Sequence, residues 1–261
     1  MDLNFKEFGA GEPLVILHGL FGTLDNWQTL ARQLADNFTV YIVDLPNHGR
    51  SPHTKGEFDY SEMSDAVAEF LTKNWIHECH LIGHSMGGKL AMQLALQQPD
   101  LIKKLAVIDI APKQYRGGHE AIFRTLLSLD LDTLKDRKEA EVYLTEHLHE
   151  EGAGTIQFLL KNLSRRADTE GGGFEWKMNL PVLWANYPRI LDKLEGHTPF
   201  TKPTLFVRGG DSNYIKDSDF DVISQLFPNS NIQTIDGAGH WVHADKPREL
   251  LEVLKRFFER K

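Results

Sequence analysis

Short apolar runs alternate with amphipathic segments from residue 13 to about residue 110, and this alternating pattern constrains the fold more than any other feature of the sequence. The apolar runs have the length of buried strands, and the segments between them have the apolar spacing of helices. Such alternation is typical of a mostly parallel sheet with helices on both faces. We predict strands at 14–17, 40–43, 80–82 and 105–110, and helices at 26–34, 60–75 and 86–97.

The alternation of apolar runs and amphipathic segments stops at Ala111 and Pro112, and it does not resume until about residue 203. The intervening residues are rich in helix formers and charge, with little sign of a strand long enough to join the main sheet. We therefore predict a helical cap inserted after the strand that ends near Ile110. The predicted core domain comprises residues 1–111 and 201–261, the cap comprises 112–200, and the resumed core contains strands at 204–207 and 231–235 and a closing helix at 247–258.

Two local signals lie within the predicted cap. The glycines at 171–173 predict a flexible break, because glycine restrains the backbone least. After them, Asn179 followed by Leu180 and Pro181 is typical of a helix start, with a capping side chain and an early proline. The sequence therefore predicts that a cap helix begins at this point.

The segment Gly-His-Ser-Met-Gly at residues 83–87 matches the G-x-S-x-G pattern, and it lies where a predicted strand gives way to a predicted helix. In this context the serine sits on strained backbone, and small flanking residues let the helix pass the neighbouring strands. The turn exposes the hydroxyl at the carboxyl edge of the sheet, where open α/β folds bind their ligands. Ser85 is therefore the predicted nucleophile.

A serine hydroxyl needs a base within hydrogen-bond reach, and twelve histidines compete for that role. His240 follows the last predicted strand, in Gly-Ala-Gly-His-Trp at 237–241, so it lies on a loop at the same sheet edge as Ser85. It also comes late in the chain, as the order serine, acid, histidine requires. We predict that His240 is the base, and that His84 and His243 are structural.

Two carboxylates qualify as the acid that orients His240. Asp109 ends the strand predicted at 105–110, and Asp211 follows the next strand. Both loops open on the active edge of the sheet. The strand orients Asp109, and Pro112 fixes the chain that follows it, so we favour Asp109 and keep Asp211 as the alternative.

A tetrahedral intermediate needs preorganised donors, which are usually backbone N–H groups. The glycine-rich segment His-Gly-Leu-Phe-Gly at 18–22 ends an early strand, so its backbone could approach a bound carbonyl. The predicted oxyanion hole is the N–H of Leu20 together with the N–H of Met86, which follows Ser85. His18 is expected to brace the loop.

Composition excludes several classes of protein. The formal net charge of −8 has the wrong sign for a surface that neutralises phosphates, so nucleic acid is not an expected partner. Cys79 is the only cysteine, which excludes an intrachain disulfide and a thiolate metal cluster. We expect a soluble, cytoplasmic protein with no membrane span, metal or cofactor, and the sequence leaves its oligomeric state open.

In this order, the motifs resemble the α/β-hydrolase superfamily, and their details are most similar to the YbfF-like bacterial esterases. Several matching segments lie outside the general catalytic motifs, which makes the resemblance specific. The segments that carry it are HGLFGTLDNW at 18–27, GHSMGGK at 83–89, IDIAP at 108–112, QFLLK at 157–161, PVLW at 181–184 and GHWVH at 239–243.

This resemblance implies hydrolysis of carboxylic esters or acyl thioesters, with Ser85 as nucleophile and His240 as base. Many hydrolases of this fold place the acid three residues after a loop glycine, but that spacing from Gly209 leads to Ser212. In the YbfF-like family the acid comes from the position of Asp109, and a serine at the position of Ser212 joins the network. Here Asp211 replaces an amide beside that serine, which reopens the choice of acid.

The resemblance also predicts a small-molecule acyl substrate that binds between cap and core. The expected lining residues are apolar: Phe21, Ile122, Phe123, Phe158, Trp184 and Trp241. A rival on the same fold is carbon–carbon bond hydrolysis or a lyase of the menaquinone-pathway type, because fold does not settle the substrate. A non-catalytic ligand-binding protein is a third reading, but it would normally have lost Ser85 or His240.

Overall fold

A computed structural model describes residues 1–166, 173–194 and 198–259. Its strands are β1 (Phe5–Phe8), β2 (Glu12–Leu17), β3 (Phe38–Val43), β4 (Cys79–His84), β5 (Ile102–Ile108), β6 (Leu163–Arg165), β7 (Phe174–Trp176), β8 (Thr204–Gly209) and β9 (Ser230–Ile235). Its α-helices are α1 (Gln28–Leu34), α2 (Tyr60–Lys73), α3 (Met86–Gln97), α4 (Glu120–Ser128), α5 (Arg137–His147), α6 (Ala153–Leu160), α7 (Leu180–Ala185), α8 (Tyr187–Leu191), α9 (Phe220–Leu226), α10 (Val242–Asp245) and α11 (Pro247–Glu259). Short 3-10 turns occupy Leu24–Trp27, Pro99–Leu101 and Asp217–Asp219.

Seven strands form one sheet in the order β1-β3-β2-β4-β5-β8-β9. In this sheet, as far as the described residues form it, β1 pairs antiparallel with β3 and the other neighbouring strands pair parallel. Because parallel strands end at the same edge, the loops after β2, β4, β5, β8 and β9 meet there. The predicted α/β-hydrolase fold class, with its mostly parallel sheet, is confirmed.

Alternate residues along each strand face opposite sides of the sheet, and each side has its own apolar cluster. Val15 and Leu17 of β2 pack in the cluster that includes α2 and α3, whereas Leu14 and Ile16 pack in the cluster that includes α1 and α11. All four side chains are essentially unexposed. This two-sided burial explains why the strand reads as an unbroken apolar run.

Helices α4 to α8 all lie in the chain between β5 and β8, and they pack on one another in the pairs α4–α5, α4–α7, α5–α6 and α7–α8. Strands β6 and β7 pair antiparallel as a separate hairpin with three residues in each strand. These two short strands were not predicted, and they do not join the main sheet. Two residues of the predicted glycine break, Gly171 and Gly172, lie outside the described residues.

Other expectations differ from the structure in detail. Helix α7 begins at Leu180 with Pro181 in its first turn, but Asn179 does not cap it. The Asn179 amide donates instead to Asn47 Oδ1 and to the Thr54 carbonyl, each at 3.0 Å, so it ties the helix to a core loop. Strand β5 ends at Ile108, two residues earlier than predicted, because the backbone turns at the next residue.

Candidate active site

Ser85 occupies the turn between β4 and α3, with φ 53° and ψ −121°. A positive φ is rare for a residue with a side chain, so the surrounding structure must hold this conformation. The flanking glycines allow the close packing that does so. A Cβ at Gly83 would lie 2.2 Å from the Gly87 carbonyl oxygen, and one at Gly87 would lie 2.4 Å from the carbonyl oxygens of Leu17 and His18.

His240 lies on the loop between β9 and α10, and its Nε2 is 2.9 Å from Ser85 Oγ. The Tyr214 ring stacks on the imidazole, with centroids 3.6 Å apart and planes inclined by 14°. The His84 ring also contacts the imidazole, with ring centroids 4.9 Å apart. The orientation of the imidazole is therefore fixed by aromatic contacts as well as by hydrogen bonds.

Asp109 follows β5 directly, at φ 50°, and its side chain is fully buried. Its Oδ2 accepts a hydrogen bond from His240 Nδ1 at 2.8 Å and another from the Ser212 hydroxyl. Its Oδ1 accepts from the Gly209 N–H at 3.0 Å. A carboxylate only accepts, so Nδ1 carries the hydrogen and Nε2 is left free to accept from Ser85.

Asp211 lies outside this network. Its side chain is exposed, and among the residues in the described ranges it has no hydrogen-bond or ion-pair partner. The turn closed by Ser212 N–H and the Gly209 carbonyl, at 3.1 Å, directs Ser212 inward instead. The structure therefore brings Ser85, His240, Asp109 and Ser212 together and leaves Asp211 aside.

The two predicted oxyanion donors, Leu20 and Met86, share the wall of one cavity with Ser85. Met86 is the first residue of α3, so its N–H has no acceptor within the helix. Leu20 lies in the turn that the Gly22 N–H and the Gly19 carbonyl close at 3.0 Å. His18 supports this loop, because its buried Nε2 accepts from the Leu45 N–H at 3.0 Å.

Ser85 lies between two cavities. The smaller has a volume of about 40 Å³ and includes Phe21, Ile122, Phe158 and Trp241 in its wall. These are four of the six apolar side chains expected to contact a substrate. The larger has a volume of about 290 Å³, and its wall includes Tyr60, Met86, Tyr115, Tyr187, Ile190 and Tyr214.

The structure places the other two expected lining residues elsewhere. Phe123 is fully buried behind Phe21, with ring centroids 4.8 Å apart. Trp184 packs on Phe123 at 5.1 Å and lines neither cavity. Both were predicted to line the substrate cavity because they lie in apolar segments with helical spacing. Consecutive helical residues point in different directions, so an apolar residue beside a lining residue need not face the cavity. They support the wall of the smaller cavity from behind.

Sequence reasoning missed the larger cavity. Tyr60, Tyr115, Tyr187 and Tyr214 come from four separate parts of the chain, so no local pattern brings them together. One sequence signal was available: Lys89 is a charged residue in the otherwise apolar segment 86–92. In the structure Lys89 lines the larger cavity and is only 1 % exposed. Its ammonium donates to the carbonyls of Leu191 and Asp192 at 3.1 and 2.5 Å. Burial lowers the pKa of Lys89 to about 7.

The histidines around His240 are kept neutral by burial. Desolvation lowers the pKa of His243 to about 3 and that of His119 to about 4, and it holds the pKa of His84 well below its ordinary value. The nearby charge of protonated His240 acts in the same direction on all three. At neutral pH these three imidazoles beside the candidate base are therefore uncharged.

Neither a metal site nor a bilayer-spanning segment is found in the described part of the chain. Residues 1–166, 173–194 and 198–259 contain no group of three or more His, Cys, Asp or Glu side chains arranged to hold a metal ion. No helix within these ranges has both the length and the apolar character needed to cross a bilayer.

Comparisons with known proteins give a consistent result. The family model of the alpha/beta hydrolase fold matches residues 12–247. Esterase YbfF of Escherichia coli K12 is 39% identical over 263 residues, which cover 98% of this chain and 99% of the relative. The sn-1-specific diacylglycerol lipase ABHD11 of Xenopus laevis is 40% identical over 268 residues, which cover 99% of this chain and 84% of the relative.

A solved structure gives the same result in three dimensions. A marine microorganism esterase superposes with a TM-score of 0.94 at 39% sequence identity, covering 98% of this chain and 99% of that one. The sequence match and the superposition both extend over nearly the whole chain, so they include the helices between β5 and β8 as well as the sheet. This chain belongs to the α/β hydrolase fold family, and within it the chain is similar to the YbfF-like esterases.

Proposed function

We propose that this protein is a serine hydrolase that cleaves carboxylic esters through an acyl-enzyme on Ser85. The observation that carries the proposal is the continuous hydrogen-bond chain from Ser85 Oγ through His240 to Asp109, with distances of 2.9 and 2.8 Å. Nucleophile, base and orienting acid need this arrangement to activate a hydroxyl at neutral pH. Similar proteins named as esterases and a lipase support the same substrate class.

In the proposed mechanism, His240 Nε2 takes the proton of the Ser85 hydroxyl as Oγ attacks the ester carbonyl. The N–H groups of Leu20 and Met86 donate to the oxygen that becomes negative. His240 then returns the proton to the leaving oxygen, and the ester bond breaks. A water molecule, activated by the same histidine, hydrolyses the acyl-enzyme and restores Ser85.

Asp109 would hold the tautomer in which His240 Nδ1 carries hydrogen, and it would stabilise the imidazolium that forms during attack. The buried carboxylate is itself oriented by donors from Gly209 and Ser212. We assign Ser212 a positioning role, because its hydroxyl touches Asp109 and not Ser85. Asp211 has no part in the proposed reaction.

We further propose that residues 112–200 act as a cap over a core formed by residues 1–111 and 201–261. The cap segment supplies Ile122 and Phe158 to the smaller cavity and Tyr187 to the larger. Both cavities thus have walls from both segments, which would exclude water from the reacting carbonyl. Acyl thioesters belong to the proposed substrate range as well, since the attack on their carbonyl is the same.

A fluorophosphonate probe tests the proposal, because it forms a covalent bond with an activated serine. The wild-type protein should be labelled, and Ser85→Ala should not. Turnover of p-nitrophenyl butyrate should fall in Ser85→Ala by a factor on the order of 10⁶. Ser224→Ala is the control, because Ser224 is exposed on α9 and donates only to the Asp221 carbonyl. Labelling that persists in Ser85→Ala would overturn the proposal.

A second experiment defines the substrate. Specificity constants should be compared across p-nitrophenyl esters and coenzyme A thioesters of increasing acyl length. The walls of the larger cavity are mainly aromatic and aliphatic, so we expect the constants to rise with acyl length until the cavity of about 290 Å³ is filled. Cleavage of a carbon–carbon substrate without any ester turnover would favour the rival reaction on the same fold.

A further inference from the structure

Three residues line both cavities: Leu20, Ser85 and His119. In the proposed reaction the scissile bond lies at Ser85 Oγ, with the acyl group in one cavity and the leaving group towards the other. The backbone of Leu20 donates to the carbonyl oxygen. The side chain at the junction that the proposed mechanism does not use is therefore His119.

The Tyr187 hydroxyl contacts His119 twice. Its oxygen accepts the backbone N–H of His119 at 3.1 Å and lies 2.8 Å from His119 Nδ1. Because the oxygen already accepts one hydrogen, we assign the phenolic hydrogen to the bond with Nδ1. An Nδ1 that accepts leaves the ring hydrogen on Nε2. Because burial keeps the ring neutral, Nε2–H is a donor that carries no formal charge.

The same ring is held in place by its neighbours. Phe21 meets it edge to face at 5.9 Å, and Tyr187 meets it edge to face at 5.8 Å. Within the described part of the chain, no acceptor is found for His119 Nε2. A donor that is oriented in advance and lacks a protein acceptor is suited to a ligand, because little ordering is needed when the ligand binds.

We propose that His119 Nε2–H donates a hydrogen bond to the alkoxy oxygen of a bound ester, and that it thereby selects oxygen esters over thioesters. In the proposed mechanism the carbonyl oxygen accepts from two backbone donors, and His240 protonates one lone pair of the alkoxy oxygen as the bond breaks, so the other lone pair is left for His119. Sulfur in the same position is a weak acceptor. This inference rests on the proposed esterase function, and it makes His119 a specificity-determining residue that transfers no proton.

Matched substrates isolate this contact. Phenyl butyrate and S-phenyl thiobutyrate share the acyl group and the aromatic ring, and they differ in the atom that leaves. In His119→Phe, kcat/KM for the oxygen ester should fall about tenfold, the usual cost of one hydrogen bond, while that for the thioester should change less than about twofold. The ratio of the two constants does not depend on how much of the variant is folded.

Two further variants make the test specific. Tyr187→Phe keeps the ring but releases the tautomer of His119, so the ratio should shift in the same direction by a smaller factor. His149→Phe is the matched control, because His149 is exposed in the segment 112–200, and it should leave the ratio unchanged. Equal losses for both substrates in His119→Phe, or no loss for either, would overturn the inference.

The outcome also separates this inference from the proposed function. If the wild-type protein hydrolyses neither substrate, or if Ser85→Ala retains the activity, the proposed function itself fails. If hydrolysis depends on Ser85 but the ratio is the same in wild type and His119→Phe, the esterase function stands and only the role of His119 is wrong.

Discussion

His84 Nε2 lies 2.8 Å from the backbone carbonyl oxygen of His240. Burial keeps the pKa of His84 well below its ordinary value, so the ring is neutral and Nε2–H donates to that carbonyl. The residue before the candidate nucleophile thus holds the loop that carries the candidate base. Trp27 and His243, which stack on each other at 4.4 Å, also contact the His84 ring.

We therefore expect His84→Leu to lower turnover of p-nitrophenyl butyrate about tenfold and the free energy of unfolding by about 1–3 kcal/mol, because the partly buried carbonyl of His240 loses its donor. Steady-state kinetics and urea unfolding measure the two effects. His149→Leu, at an exposed position, should change neither quantity. Unchanged turnover in His84→Leu would show that the loop keeps its position without this bond.

The two candidate acids provide a sharper comparison. Asp109→Asn should lower turnover by a factor on the order of 10⁴, because an amide favours the wrong tautomer of His240. Asp211→Asn makes the same chemical change at an exposed side chain, so it should alter turnover less than about twofold. The measurement is kcat for p-nitrophenyl butyrate. The reverse ranking would transfer the acid role to Asp211.

The turn that carries the candidate nucleophile could be predicted from sequence because every determinant of its conformation is local. A strand, glycines and a helix meet within a few residues of Ser85, and the pattern is visible without knowledge of the fold. His240 required chain order and the sheet edge as well. The choice of acid depended on which way one turn directs two adjacent side chains, Asp211 and Ser212, and spacing alone did not decide this.

Other features were missed because their signals are weak or non-local. Strand β1 has only four residues, all exposed or partly exposed, so it lacks the apolar run that marked the central strands. The larger cavity is assembled from side chains that are distant in sequence, such as Tyr60 and Tyr214. The sequence predicted that the apolar side chains of Phe123 and Trp184 line the cavity, but only the packing shows that they lie behind the cavity wall.

Gly87, two residues after the candidate nucleophile Ser85, has a steric role that can be measured. In Gly87→Ala the new Cβ would lie 2.4 Å from the carbonyl oxygens of Leu17 and His18, so the backbone must move. We expect the free energy of unfolding to fall by about 3 kcal/mol, with a loss of labelling by the fluorophosphonate probe. Urea unfolding and gel-based labelling measure these effects.

Gly154→Ala is the matched control for that substitution. Gly154 lies in α6, and a Cβ there would have no neighbour within 4 Å. Alanine has the higher helix propensity, so stability should stay the same or rise by up to about 1 kcal/mol, with labelling unaffected. If Gly87→Ala were as well tolerated as Gly154→Ala, close packing at the turn between β4 and α3 would not be the reason for a glycine at position 87.

Lys89 should make the free energy of unfolding rise with pH above about pH 7. Burial lowers its pKa from 10.5 to about 7, mainly through desolvation of the ammonium. Below about pH 7 the folded and unfolded states are both protonated, and the buried charge reduces stability in full. Between about pH 7 and 10.5 the unfolded state binds more protons, so the contribution of Lys89 to the free energy of unfolding rises with pH.

Lys89→Met removes this titration while it keeps most of the buried volume. The wild type should therefore gain stability relative to Lys89→Met by roughly 2 kcal/mol between pH 7 and pH 9, as measured by urea unfolding at each pH. Lys138→Met is the control, because Lys138 is exposed on α5, and its difference from wild type should stay constant. A constant difference for Lys89→Met as well would mean that the buried ammonium keeps its proton throughout, held by the carbonyls of Leu191 and Asp192.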